Sequence, residues 1–213
     1  MTAITLLDSR WLAFAIMALV IELTPGPNMA YLAALSLSQG ARAGFAAVGG
    51  VALGLSVYGV AAALGLGALI GQSPVMYEGL RWAGVAYLFW LAWDAWTSER
   101  DEARSRQSPD ISPRMAFRRG LITNLLNPKA AVFYIAVLPD FIAVEGGGIA
   151  AQTIALAAVY VGVATAVHLF IVVLAGQSHR LIATAEQRRK IRRILAVVLA
   201  VVAIWFAFST ARP

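Results

Sequence analysis

Six apolar stretches alternate with polar connectors along the chain, at about 10–39, 44–70, 77–96, 115–144, 149–176 and 191–209. A helix crosses the roughly 30 Å hydrocarbon core of a bilayer with about 20 residues. The pattern therefore predicts an all-α polytopic membrane protein with six transmembrane helices. The first and fourth stretches approach about 30 residues, too long for a simple span. Both carry internal prolines, which predicts two half-helices meeting inside the membrane.

A polar connector, "TSERDEARSRQSPDIS" at 97–112, has no apolar face to bury and reads as a solvated linker. Ser112 and Pro113 after it suit a helix N-cap and first helical position. The linker divides the chain into 1–96 and 113–213, each with three spans. An odd number of spans forces the halves into opposite orientations, the geometry of two inverted three-helix repeats. The matched places of the two broken spans, first in each half, support this better than residue identity does. "LRWAGVAYLFWLA" from residue 80 and "IRRILAVVLAVVA" from residue 191 share few positions.

Composition agrees with a bilayer as solvent: 60% of residues are hydrophobic and 13% charged, against about 25% charged in ordinary domains. The formal charge of +6 sits between apolar runs, which points to anionic lipid and topology rather than nucleic acid. Thirteen of the 17 basic residues fall in the connectors after spans one, three and five, and three on the other side. Lys129 is the only lysine or arginine deep within a span. The rich side should be cytoplasmic, with both termini periplasmic. Trp11 to Ile21 is apolar, but no small-x-small cleavage site follows it, so an uncleaved first span is expected. With no cysteine, disulfides and thiol chemistry are excluded. His168 and His179 lie far apart without a carboxylate at ligand spacing, so no metal site or cofactor is expected. No nucleophile elbow or phosphate loop suggests an enzyme. Gly50 and Gly54, and Gly67 and Gly71, give span two small-xxx-small faces for close packing, within the chain or in a homodimer.

The candidate chemistry lies at the breaks. Glu22 follows Arg10 by 12 residues and so lies about 18 Å from the outer surface, near the midplane. A charge there costs at least ~2.5–3.5 kcal/mol and needs a partner or water. Beside it runs Thr24, Pro25, Gly26, Pro27 and Asn28. Pro25 and Pro27 should free the carbonyls of Ile21 and Leu23, opening the helix around Glu22 to Gly26. Freed carbonyls suit an ammonium group, and a new helix N-terminus near Asn28 suits a carboxylate. In span four, Asn124, Asn127 and Pro128 precede Lys129, also near the midplane, and Pro128 should free the Asn124 carbonyl. Glu22 and Lys129 are the expected ion pair between the halves, either exchanging partners with substrate or a proton or bridging the halves statically. Asp140, after Pro139, is a candidate gate or an interfacial acid. His168 reads as a packed helix histidine more readily than as a proton relay.

"LTPGPNM", "LRWAGVAYLFWLAWDAW" and "RRGLITNLLNPKAAVFYIAVLPDF" resemble the LysE/RhtB amino-acid exporter family along essentially the whole chain. The resemblance implies a carrier of about six spans in the bacterial inner membrane. It also implies export of amino acids or close analogues driven by protons, with Pro25, Gly26, Pro27, Asn127, Pro128 and Lys129 at signature positions. Many members of that family have aspartate at the place of Asn28 and glutamine at that of Asp140. The roughly neutral Glu22–Lys129 pocket suits a zwitterion. Export of metal cations, or a non-transporting scaffold, are the alternatives.

Overall fold

A computed structural model describes residues 9–65, 73–102, 111–143, 148–180 and 185–209. All regular structure among them is helical. Helix α1 (Ser9–Leu23) and α2 (Pro27–Gln39) form the first broken span. A tight turn at Gly40, with φ 83, leads into α3 (Ala41–Ala63). That left-handed conformation is open to glycine at little cost. Helix α4 covers Pro74–Glu102 and α5 covers Pro113–Leu125. Helix α6 starts at Pro128–Val132, widens into a π turn over Phe133–Val137, and ends in a 3-10 turn over Leu138–Phe141. Helices α7 (Ile149–Arg180) and α8 (Ala185–Ser209) complete the fold.

Two single helices, α3 and the Ile149–Ser178 part of α7, are long and apolar enough to cross a membrane. Each broken pair taken as one span brings the number to four. The expected third and sixth spans exist as the long helices α4 and α8 but fall short of that test. Arg81, Asp94 and several tryptophans dilute α4, and the apolar part of α8 is confined to Arg193–Trp205. Helix α4 also continues to Glu102, so the linker begins as helix rather than at residue 97. Helix α3 stops at Ala63, short of residue 70, and Gly67 and Gly71 lie outside the described residues.

The helices pair across the halves. Helix α3 packs on α5 and α7, α1 and α2 pack on α7, and α4 packs on α8. Small residues set the closest approaches. A Cβ on Gly50 would strike the Phe117 carbonyl of α5, and one on Gly120 would strike the Ala47 carbonyl of α3. Backbones meet where no side chain intervenes. Outward faces are apolar, as Leu12, Ile16 and Val20 on α1 and Phe170, Val173 and Leu174 on α7 illustrate. The buried set contains the polar ones, Glu22, Asn28, Asn124, Asn127 and His168 among them. Polar inside and apolar outside is the arrangement that a hydrocarbon solvent rewards.

Candidate functional site

The first break follows from local chemistry. Pro25 and Pro27 have no N–H to continue the helical ladder, so α1 ends at Leu23 and α2 restarts with Pro27 in its first position. The two axes differ by 58°. The Ile21 carbonyl, expected to be free, accepts from the Thr24 N–H at 3.1 Å. The Thr24 hydroxyl turns back to the Val20 carbonyl at 3.0 Å, so this side chain serves α1 and not the break. Thr24 and Pro25 are exposed, while Gly26, Pro27 and Asn28 are buried.

The second break repeats the device. Helix α5 ends at Leu125, and Asn127 caps α6 by accepting the Lys129 N–H on its side-chain oxygen at 3.0 Å. Pro128 occupies the first position of α6, and the axes differ by 51°. The Asn124 carbonyl is likewise served, by the Asn127 N–H at 3.0 Å.

The breaks lie against each other and complete one another. Lys129 Nζ, from the second half, donates to the Thr24 carbonyl in the first at 2.7 Å. Asn28 Nδ2 donates to Asn124 Oδ1 at 2.9 Å, again across the halves. Gly26 makes room for the lysine: a Cβ there would lie 3.3 Å from Lys129 Cδ. Glu22, Gly26, Asn28, Met29, Asn127, Lys129 and Ala130 line the remaining cavity. Its volume of about 10 Å³ is room for at most one water, on a measure where a water needs about 10–15 Å³.

Glu22 does not pair with Lys129, and that expectation is corrected. The carboxylate instead faces α7. Tyr160 Oη donates to Oε1 at 2.6 Å, and His168 Nε2 lies 3.2 Å from Oε2. The cause is packing. Tyr160, Ala164, His168 and Val172 succeed one another at one-turn spacing and form a fully buried stripe on α7, against which α1 packs. Phe133 stacks on the Tyr160 ring, with centroids 3.7 Å apart, and Tyr134 meets that ring edge-on at 5.4 Å. The wide π turn presents both Phe133 and Tyr134 to the core, and such turns recur at functional sites. His168, which the sequence suggests more readily as a packed helix histidine than as a proton relay, is thus drawn into the candidate site. The readable signal was Tyr160 and His168, eight residues apart on one face of a mostly apolar helix.

Asp140 is exposed in the 3-10 turn and does not line the cavity. His179 has no described side chain. Among the described residues, no three His, Asp or Glu side chains converge as metal ligands.

A 132-residue segment is 33% identical to the homoserine/homoserine lactone efflux protein of Salmonella typhi, covering 62% of this chain and 64% of that protein. The leucine efflux protein of Klebsiella pneumoniae is 30% identical over 137 residues, 64% of this chain and 65% of that one. Matches to these efflux proteins thus span a little under two thirds of their length. A membrane protein of Bacillus subtilis is 27% identical over 197 residues, 88% of this chain and 93% of its own. No solved structure matches the chain significantly. The LysE type translocator model matches residues 19–212, so that both breaks fall within it, and the chain belongs to this family.

Proposed function

We propose that this protein exports small zwitterionic amino acids across the bacterial cytoplasmic membrane in exchange for protons, by alternating access of two inverted three-helix repeats. The observation that carries the reading is the crossing of the breaks: Lys129 of one half on the Thr24 carbonyl of the other. A bound ammonium on a free backbone carbonyl is the contact that an amino acid's own ammonium would make. Lys129, once displaced, offers its charge to the substrate carboxylate. The relatives named for homoserine and leucine efflux fit a site that holds one acid and one base.

Pseudo-symmetric detail supports the inverted repeat. Tyr58 on α3 donates to the Leu125 carbonyl at 2.7 Å, three residues before Pro128. Tyr160 on α7 donates to Glu22, three residues before Pro25. The second span of each half thus braces the broken span of the other at the matching step. Six spans, with α4 and α8 as the third and sixth, and both termini in the periplasm complete the reading. Because the cavity holds no more than a water, transport requires the breaks to separate, first towards one face and then the other.

The test uses inside-out membrane vesicles with an acid-inside gradient and radiolabelled L-homoserine or L-leucine. The wild type should accumulate at least one of them. Glu22→Gln and Lys129→Ala should each lower accumulation about tenfold or more, the scale of losing one charge-assisted hydrogen bond. Wild-type rates from both variants would sink this mechanism.

A further inference from the structure

We infer that His168 and Glu22 together bind the transported proton, as a buried carboxylate–imidazole pair set apart from the Lys129–Thr24 contact. This assignment rests on the proton-coupled export reading and adds to it the group that makes Glu22 a proton site. Glu22 is 4% exposed and His168 is 1% exposed. The two approach to 3.2 Å through Oε2 and Nε2. Tyr160 occupies the other carboxylate oxygen, so Oε2 is left to the imidazole. The Glu22 carboxylate is the partner that Nε2 meets, and Nδ1, equally shut away from solvent, meets none among the described residues. A histidine kept only for packing would not need a buried acid as its one polar neighbour, since such a pair is costly to bury. An imidazole facing a carboxylate in a dry interior is instead suited to holding a proton between them. Other titratable groups facing the carboxylate are Tyr160 from α7 itself, and Lys129 and Tyr134 from the second broken helix.

Proton accounting links this pair to the substrate. With one proton between Nε2 and Oε2 the pair is neutral. Release breaks that N–H or O–H bond, sends the proton to water and leaves a net charge of −1. An isolated negative charge in a dry interior is costly, and an incoming ammonium group offsets it. Substrate entry and proton exit then favour one another. Imidazole suits the role because either ring nitrogen can carry a proton, so Nε2 can take one up while Nδ1 keeps its own. Lys129 is tied to the Thr24 carbonyl while the pair is loaded, so it does not neutralise the carboxylate by direct contact.

The test reconstitutes full-length protein in liposomes and compares two readouts, with L-homoserine and L-leucine as probes. One is accumulation driven by a proton gradient. The other is substrate–substrate exchange without a gradient, between about pH 5.5 and 8. Wild type should accumulate, and its exchange should vary with pH. His168→Gln and His168→Asn, checked for a wild-type elution profile in detergent, should lower accumulation about tenfold or more. Their exchange should persist at a reduced rate and lose its pH dependence. Gradient-driven accumulation within about twofold of wild type overturns the assignment. So does loss of exchange together with accumulation in both variants, which would make His168 a substrate-binding or folding residue. Exchange by wild type without accumulation removes proton coupling itself, and no exchange of either amino acid removes the export reading and this assignment with it.

Discussion

Asn124 shows how much a single side chain holds at the meeting of the breaks. It is fully buried, accepts from Asn28 and lies against α3, where a Cβ on Gly54 would come 2.6 Å from its Nδ2. Asn124→Ala removes the acceptor and leaves the Asn28 amide buried and unpaired. A loss of about 1–3 kcal/mol is expected, read as a lower unfolding midpoint in detergent. An unchanged midpoint would mean that water replaces the bond. Glu22 and Lys129 teach a second lesson at this scale. Opposite charges at matched depth suggested a pair, yet each found a partner of shorter reach. Lys129 has a backbone carbonyl that proline chemistry left open, and Glu22 has an aromatic hydroxyl and an imidazole on the helix it packs against.

At the scale of elements, the breaks were legible because proline acts within one turn. Pro25, Pro27 and Pro128 fix where the ladder stops, and Ser112 caps α5 by accepting the Met115 N–H at 3.2 Å, as its place before Pro113 suggests. What the ladder does next was not legible. Thr24 and Asn127 fold back to serve the carbonyls that counting alone leaves bare. Partner choice across helices was hidden for the same reason: it depends on which faces meet, and α7 showed only three polar residues, Tyr160, Thr165 and His168, in the apolar run 154–176. Helix packing gives a clean prediction. Gly120→Ala should drive α5 off α3, because the new methyl group meets the Ala47 backbone and no rotamer relieves it. Folded yield and thermal midpoint should fall. Gly162→Ala on α7 meets nothing within 4 Å and should be neutral or slightly stabilising. Equal behaviour of the two variants would contradict the close α3–α5 approach.

At the scale of the molecule, the two halves embrace rather than abut. Helix α3 of the first half lies between α5 and α7 of the second, and α4 pairs with α8. The Asp94–Arg119 ion pair, at 2.7 Å, is a direct tie between α4 and α5, with the Arg119 guanidinium 5.1 Å above the Trp90 ring. Basic residues fall mainly in the connectors after the first, third and fifth apolar stretches, and the proposed orientation rests on them. A periplasm-active reporter fused after Pro213 should be active, and one that requires the cytoplasm should be silent. The opposite result would invert the topology.

The contact between Lys129 and Thr24 has a consequence for inheritance. Its acceptor is a backbone atom, and every residue type except in its side chain offers the same carbonyl. Position 24 can therefore drift in descendants without disarming the lysine, provided the prolines keep that carbonyl exposed. The Asn28–Asn124 bond and the Tyr160–Glu22–His168 cluster are made of side chains. They can change only in concert, so divergence between lineages that export different cargo should fall in those linked positions while the lysine and its prolines stay fixed.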